Sequence, residues 1–371
     1  MTELQVLSLQ TTLVWAIFGV AFVLGIVMSR SNFCTMGALS DIVNMGDWTR
    51  MRMWLFAIAI AIFGTAALAF SGTINLSGSI YTGNKVLWLS NLIGGLLFGF
   101  GMVLASGCGS KTLIRLGGGS LKSLLVFIVM GLFAYMTLRG IFGVIRVNFL
   151  DPVAFSLLGS QDVSAIIASV VGAGTAQLRF IIATVIALAI AIFCLAGKDF
   201  RSKQPLISSL LIGVAIVAGW YVSGALGYIE EDPRTLTQAY LSTNSGRMES
   251  FSFVAPIAYT LELLMFWSDK SRIVTYGIAA TIGMICGAAV DALVSRQFRW
   301  EGFSGAEDTA NHLVGAAAMG IGGVLAMGCT VGQGLSGLST LAIGSIISFV
   351  AILAGGKLAL VYQTWRVNSM I

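Results

Sequence analysis

Long hydrophobic stretches separated by short polar connections dominate this chain. A helix that crosses a bilayer needs about 20 mostly apolar residues. Ten stretches approach this length, several of them short or rich in glycine, so we expect eight to ten membrane segments. They are Leu13–Met28, Met53–Phe70, Leu87–Ala105, Leu121–Ile141, Phe180–Ala196, Leu206–Val222, Phe251–Trp267, Val274–Val294, Leu313–Met327 and Ile343–Val361. The period-2 alternation of a transmembrane strand is not visible. The pattern therefore predicts an all-α polytopic membrane protein.

Composition agrees with a chain surrounded by membrane lipid. Of the 371 residues, 57 % are hydrophobic and only 10 % are charged, whereas a soluble domain carries about 25 % charged residues. The first hydrophobic run lacks the cationic flank and small-residue cleavage site of a signal peptide, so we expect it to be a retained span. The net charge of +5 is spread over short connections and does not indicate a nucleic-acid partner.

The charged connections suggest an orientation. Loops rich in Lys and Arg usually face the cytoplasm, and this rule predicts an external N-terminus. The cations that led to this prediction are Arg30, Arg50, Arg52, Lys198, Arg201, Lys203, Lys270 and Arg272. The connection Glu230–Arg247 is net acidic.

An internal repeat is the strongest signal in the sequence. Asn91–Cys108 and His312–Cys329 match without a gap at nine of eighteen positions, and both close on Val-Leu-Ala-x-Gly-Cys. Repeats of this kind are a common construction in transporters. We expect a pseudo-symmetric two-repeat helical bundle, with residues 1–196 as the first repeat, 197–205 as a cationic central loop and 206–371 as the second repeat.

Glycine-rich segments follow both Gly-Cys pairs. A spanning helix would not tolerate so many glycines, but a helix that breaks and restarts uses them, and such breaks are tolerated beside an internal cavity. The restarted helix presents unsatisfied N–H groups and a positive dipole end, which suit an anion. We therefore predict re-entrant half-helices. Their candidate substrate-binding residues are Gly107, Cys108, Gly109, Gly328, Cys329, Thr330, Gly332 and Gly334.

Cysteine adds a chemical preference to these turns. Cys34 lies in a third polar turn after the first span, whereas Cys194 and Cys286 lie inside apolar runs and read as packing residues. A thiol is a soft, polarizable contact, so several thiols along one path suit the terminal sulfur of thiosulfate better than they suit sulfate. Lys111 either attracts the anion or merely extends to a membrane face. A single histidine and the lack of CxxC pairs predict no metal or other cofactor.

Three polar residues inside or next to hydrophobic runs need an explanation. We expect His312 to be a surface or interfacial residue, because its repeat counterpart is Asn91. Asp291 is expected to pair with Arg296 or Arg299. No partner for Glu262 can be assigned from the sequence.

At these motifs the chain resembles the YeeE/YedE family, also called the sulfur-transport family. The stretches that carry the resemblance are Gly25–Asp41, Gly94–Cys108, Ser295–Trp300 and Gly322–Gly337. They lie in both halves. The family usually has a second glycine where this chain has Ser106, and a small or polar residue at Lys111, whereas Arg115 matches a family arginine.

The resemblance implies a thiosulfate uptake transporter of the bacterial inner membrane. It implies a bundle narrowed at its middle, where half-helices meet and three cysteines pass the ion inward by transient contacts. By motif these cysteines are Cys34, Cys108 and Cys329. It also implies a small cytoplasmic sulfur-carrier protein as a separate partner chain.

Other functions remain open at this stage. A membrane sulfurtransferase or thiol oxidoreductase would form a covalent intermediate on Cys108 or Cys329, but such enzymes normally have a resolving CxxC or an adjacent base. We therefore expect a protein that is not an enzyme. A selenium compound is an alternative substrate, and a simple channel is an alternative class. The ATP-binding signature GxxxxGK[ST] is absent from the sequence.

Overall fold

The computed structural model describes residues 3–157, 159–171, 175–233 and 235–369, which form an almost entirely helical bundle. The helices are α1 Glu3–Arg30, α2 Thr35–Met45, α3 Thr49–Phe70, α4 Trp88–Leu104, α5 Gly109–Gly117, α6 Leu121–Arg139, α7 Ile141–Ile145, α8 Val163–Val171, α9 Thr175–Leu195, α10 Lys203–Tyr221, α11 Val254–Met265, α12 Tyr276–Val294, α13 Ala306–Leu325 and α14 Ile343–Asn368. A further half-helix over residues 330–339 contains a π-helical stretch, Gly332–Gly337.

Eight helical segments in the described part of the chain are long and apolar enough to cross a membrane. This number confirms the expected range and the all-α polytopic membrane fold. Two of the ten predicted stretches, Phe251–Trp267 and Leu313–Met327, are not among these eight, and the first is wrong as a span. Phe251–Trp267 contains only the twelve-residue helix α11, which is about 18 Å long and therefore too short to cross a bilayer of about 30 Å.

Three pairs of long helices pack through glycines at the centre of the bundle. A Cβ on Gly101 of α4 would lie 2.6 Å from the Gly315 carbonyl oxygen of α13, so only glycine permits this approach. Gly99 faces the backbone of α14 at Ile352, and its repeat counterpart Gly320 faces the backbone of α6, with a Cβ 2.5 Å from the Met130 carbonyl oxygen. The two repeat segments therefore make equivalent contacts, as small residues do where membrane helices pack closely.

One end of the bundle, here called the cationic face, collects the ends of several helices and their positive charges. Arg30 Nε, at the end of α1, lies 2.6 Å from Asp291 Oδ1 near the end of α12. At the same face, Lys122 pairs with Asp308 at 2.8 Å. Asp291 therefore pairs with Arg30, and its expected pairing with Arg296 or Arg299 is wrong, because α1 and α12 run side by side.

The other end, here called the opposite face, carries two short two-stranded pairs. Strand β1, Lys85–Val86, pairs with β2, Phe155–Ser156, and β3, Tyr228–Ile229, pairs with β4, Ala239–Tyr240, both antiparallel. The connection before α12 also lies here, because Tyr276 N–H donates to the Ser242 carbonyl.

This placement corrects the predicted orientation of one loop. Lys270 and Arg272 lie at the opposite face and not with Arg30. The helix before them, α11, does not cross the bundle, so the chain is still at the opposite face when it reaches these two residues. Arg272 is neutralised by Glu262 at 2.9 Å, with Tyr135 donating to the same carboxylate at 3.2 Å. Glu262 thus has the partners that the sequence did not reveal.

Candidate functional site

The same backbone turn precedes each of the three candidate cysteines. In each turn a long helix ends on a residue with positive φ, namely Asn32 (49°), Ser106 (55°) or Met327 (57°). The next backbone N–H closes the helix by donating to the carbonyl five residues earlier. These bonds are Phe33–Met28 at 3.3 Å, Gly107–Met102 at 2.8 Å and Gly328–Gly323 at 2.8 Å. This is a Schellman-type ending, built without glycine at the left-handed position.

Each turn delivers a cysteine to the start of a short helix. Cys34 is the N-cap of α2, and Cys108 is the N-cap of α5. Cys329 immediately precedes the 330–339 half-helix. The first N–H groups of a helix have no intrahelical acceptor and carry partial positive charge. The predicted breaks therefore exist, and each one places a sulfur atom at a positive helix end.

Two of the three thiols meet inside the protein. The thiol of Cys34 lies close to that of Cys108, and the sulfur of Cys108 lies 3.3 Å from the Ser110 hydroxyl. Both cysteines are free thiols and buried. The site is therefore assembled from two helix ends that are far apart in sequence.

Cys329 is also fully buried, and it is near enough to Cys108 for their charges to interact. The Gly332 N–H donates to its sulfur at 3.4 Å. The hydroxyl of Thr330 lies near the Cys108 thiol but makes no well-aligned hydrogen bond to any described residue. The start of the 330–339 half-helix thus places near Cys108 both a thiol and a hydroxyl that has no aligned hydrogen-bond partner.

The candidate glycines differ in how strictly they need to be glycine. A Cβ on Gly332 would lie 2.6 Å from the Ser252 hydroxyl, and one on Gly334 would lie 2.5 Å from the Phe349 ring. Gly107 and Gly328 are tight but less so, each with a nearest atom at 3.2 Å. Gly109 has nothing closer than 3.9 Å, so packing does not demand glycine there.

The side chains of Lys111 and Arg115 hydrogen-bond to the turns that precede Cys34 and Cys108. Lys111 Nζ donates to the Asn32 side-chain oxygen at 3.2 Å, and Arg115 donates to the Ser106 carbonyl at 2.7 Å. The Lys111 ammonium therefore links the Cys108 half-helix to the turn that carries Cys34. This contact places positive charge beside two of the thiols.

A cavity opens on each side of this centre. At the cationic face a cavity of about 200 Å³ is lined by Ser106, Gly107, Arg115, Lys122 and His312, among others. His312 is buried and its ring nitrogen lies 3.0 Å from Asp308. Of the two expectations for His312, a surface or an interfacial residue, exposure at the surface is wrong, because the first turns of α13 pack against α6.

The cavity at the opposite face, here called the outer cavity, has a volume of about 240 Å³. Its wall includes Met327 and Gly328, the repeat counterparts of Ser106 and Gly107 in the other cavity. The two turns therefore open toward opposite ends of the bundle, and the cysteines lie between them.

The other two cysteines lie elsewhere. Cys194 is fully buried near the end of α9 at the cationic end, and Cys286 is half-buried within α12. The sequence reasoning missed Tyr81 and Tyr276, whose buried hydroxyls lack aligned partners among the described residues. Their only sequence signal was an aromatic residue in an otherwise polar connection or at a helix start.

Comparison with known proteins gives a consistent result. The model of a family described as "Sulphur transport" matches residues 30–358. The thiosulfate transporter TsuA of Spirochaeta thermophila is 27 % identical over 350 residues, which cover 92 % of this chain and 97 % of that protein. The thiosulfate transporter TsuA of Escherichia coli is 25 % identical over 326 residues, 84 % of each chain. A probable transporter, YedE of Salmonella typhimurium, is 31 % identical over 101 residues, 27 % of this chain and 22 % of that protein.

Proposed function

Because this chain belongs to the sulphur transport family, we propose that it imports thiosulfate, or a closely related sulfur-containing anion, across the bacterial inner membrane. The observation that carries the proposal is the threefold turn: three buried cysteines, each at the start of a short helix, lie in the interior between two cavities. The relatives named thiosulfate transporters cover most of the chain and support the same substrate.

The chemistry of the site suits this ion. Thiosulfate has three hard oxygens and one soft terminal sulfur. The N–H groups at the half-helix ends stabilise the negative charge, and thiols offer weak, polarizable contacts to the sulfur. Contacts that are individually weak let the ion leave each position as easily as it enters, so Cys329, Cys108 and Cys34 form a path of transient sulfur contacts.

The charge distribution gives the path a direction. The cationic face collects Arg30, Arg50, Lys122 and the central connection 197–205, so we assign it to the cytoplasm. The outer cavity then faces the exterior, and thiosulfate meets Cys329 first and Cys34 last. The small sulfur-carrier protein implied by the family would receive the ion at the cationic face.

The membrane sulfurtransferase or oxidoreductase remains the competing function. The closeness of the Cys34 and Cys108 thiols is the one observation that favours it, because two neighbouring thiols can be oxidised to a disulfide. An enzyme of that kind catalyses sulfur transfer or thiol oxidation in detergent solution, where there are no two compartments between which an ion could move. A transporter moves the ion unchanged.

Growth on thiosulfate as the only sulfur source tests the proposal. The host is a bacterium without its own thiosulfate and sulfate uptake, and the protein is expressed intact. We expect growth with the wild type, and loss of growth with Cys329→Ala at equal membrane levels, whereas Cys194→Ala grows normally. A well-expressed wild type that fails to support growth contradicts thiosulfate as the substrate.

A further inference from the structure

A hydrophobic cavity lies between helix α9 and the core of the bundle. It has a volume of about 350 Å³ and is here called the apolar cavity. Its lining includes Ile62 of α3, Ile186 and Ile190 of α9, Leu338 and Leu341 at the end of the 330–339 half-helix, and Val350 of α14. Val350 is also 59 % exposed, so the cavity is open to the surrounding lipid. A cavity with such a lining does not hold ordered water, so its occupant is itself apolar.

A smaller and more polar cavity, here called the arginine cavity, continues the apolar cavity along α9. It has a volume of about 130 Å³, and Leu341 lines both cavities. Its lining on α9 includes Arg179 and Ala183, one turn before Ile186 of the apolar cavity. The two cavities therefore follow each other along one helix, and Arg179 lies at one end of the pair.

The arginine end of this pair is at the opposite face. Arg179 lies 3.9 Å from Asp162, and the preceding residue, Gln161, donates its N–H to the Gly83 carbonyl close to strand β1. Ile190, at the deep end, is eleven residues further along α9, which is about 17 Å at 1.5 Å per residue. One leaflet is half of a hydrocarbon core about 30 Å thick. The two cavities together thus have about the depth of one lipid leaflet.

The Arg179 guanidinium has a hydrogen-bond donor that no described residue accepts. Its Nε is buried without a partner in the described part of the chain. The Asp162 carboxylate is 3.9 Å away, beyond hydrogen-bond distance. It already accepts hydrogen bonds from the Ser160 hydroxyl at 2.8 Å, the Ser164 hydroxyl at 2.7 Å and the Ala165 N–H at 2.6 Å. A buried donor beside a cavity requires an acceptor, and a phosphate is an acceptor whose geometry a guanidinium matches well.

We propose that the two cavities bind one phospholipid molecule, with its phosphate at Arg179 and one acyl chain in the apolar cavity. The chain matches the hydrophobic lining and the depth of the cavities, and the phosphate matches the charge of the guanidinium. A free anion would fill the arginine cavity alone, and a second copy of the protein would cover both cavities without supplying a phosphate. Because Leu338 and Leu341 line the apolar cavity, the acyl chain supports the end of the half-helix that begins after Cys329.

Native mass spectrometry of the delipidated full-length protein tests this site, with phosphatidylglycerol as the added probe. We expect one tightly bound molecule per wild-type chain. Arg179→Gln should weaken its binding about tenfold or more, since hydrogen bonds between two charged groups are lost. Ile186→Phe, which fills the apolar cavity, should weaken it as well. The matched controls are Arg139→Gln near the same face and Leu188→Phe on the exposed side of α9, and both should bind the probe as the wild type does.

A second probe separates the headgroup from the acyl chain. Dioleoylglycerol carries the chains without the phosphate, so it should bind the wild type and the Arg179→Gln variant equally weakly. This comparison needs only the wild type and one surface variant, and it decides the matter even if Ile186→Phe fails to fold.

Thermal unfolding in detergent gives an independent reading, because a ligand that binds the folded protein raises its unfolding temperature. Phosphatidylglycerol should stabilise the wild type and both controls more than it stabilises Arg179→Gln. A wild type that binds no phospholipid overturns the proposal, and so does equal binding by Arg179→Gln and the wild type. An equal loss in Arg139→Gln would reveal unspecific attraction to any arginine at this face. Stabilisation by inorganic phosphate but not by the lipid, or a dimer free of lipid, would assign the cavities to another occupant and overturn it too.

Discussion

The Gly332 backbone N–H donates to the sulfur of Cys329 across 3.4 Å. The donor belongs to the first turn of a half-helix, where such groups have no partner in the helix itself. The thiol therefore occupies the place where an anion would otherwise receive that hydrogen bond. An approaching ion can exchange with the sulfur at this N–H, which gives a physical reason for a cysteine to precede the half-helix.

Replacing Cys329 by serine tests whether uptake needs the polarizable sulfur atom or only a small group that can hydrogen-bond. Serine keeps a small polar group before Gly332 but lacks the polarizable sulfur. We expect thiosulfate uptake by Cys329→Ser to fall by about tenfold or more, a change equivalent to about 1.4 kcal/mol. Uptake assays with Cys286→Ser as the control check this. Equal uptake by the Cys329→Ser variant and the wild type would favour a simple pore.

The Arg30–Asp291 ion pair stabilises the contact between α1 and α12. Asp291 is buried whereas Arg30 is largely exposed, so solvent screens part of the attraction. Arg30→Ala leaves a buried carboxylate without its charge partner and should lower the free energy of unfolding by about 1–2 kcal/mol. Thermal unfolding in detergent measures this loss.

A second variant at this pair tests the cause. Arg30→Ala combined with Asp291→Asn removes the unpaired charge and should recover part of the lost stability. If the double variant is as unstable as the sum of the two single variants, the pair is not coupled.

Close packing between α13 and α6 predicts a sharp intolerance at Gly320. A methyl group there would lie 2.5 Å from the Met130 carbonyl oxygen, and a backbone atom cannot move aside as a flexible side chain can. Gly320→Ala should therefore separate the helices and destabilise the fold by about 1–3 kcal/mol. Yield and unfolding temperature in detergent report the effect.

Gly19 offers a matched control within a helix. Nothing lies within 4 Å of a Cβ at this position of α1, and alanine favours a helix over glycine by up to about 1 kcal/mol. Gly19→Ala should be neutral or stabilising. Equal destabilisation by both substitutions would show that packing at Gly320 is not the cause.

Glu249 in the outer cavity predicts a pH dependence of uptake. Burial raises the pKa of this carboxyl group, so it takes up a proton at a higher pH than an exposed glutamate does. As the external pH falls through this raised pKa, the cavity loses a negative charge and uptake of an anion should increase. The other titratable groups that line the cavity are Arg146, Tyr259 and Tyr276.

Glu249→Gln is the corresponding variant. Glutamine cannot ionise, so its uptake at neutral pH should match or exceed that of the wild type, and its profile between about pH 4 and 7 should be flatter. Initial rates over this range check the prediction. A variant with the same acid stimulation as the wild type would exclude Glu249 as the group responsible.

Much of this architecture follows from sequence patterns. Hydrophobic runs predict the long helices because lipid demands them, and the repeat ending at Cys108 and Cys329 predicts the two helix breaks. The partners of buried charges do not follow from such patterns. Asp291 pairs with a residue 261 positions away, and no local periodicity indicates this.

The short helix α11 shows a second limit of sequence patterns. Phe251–Trp267 is hydrophobic enough to span, yet the backbone of its first residues is not helical, and Phe251 and Phe253 are buried beside the 330–339 half-helix. A hydrophobic segment is expected to avoid water, but its hydrophobicity does not tell whether it faces membrane lipid or the interior of the protein. For the same reason, the candidate site could be located from its cysteines and glycines, but Tyr81 and Tyr276 became visible only when helices from both halves were placed together.

Uptake of labelled thiosulfate by purified protein in proteoliposomes tests the central claim most directly. Four variants run beside the wild type: Cys34→Ala, Cys108→Ala, Cys329→Ala and, as the control for a buried cysteine outside the path, Cys194→Ala. The account predicts uptake by the wild type and the control, and a loss of at least about tenfold in each of the other three at equal incorporation. Uptake that survives all three path substitutions, or that fails equally in the control, would contradict a thiol path.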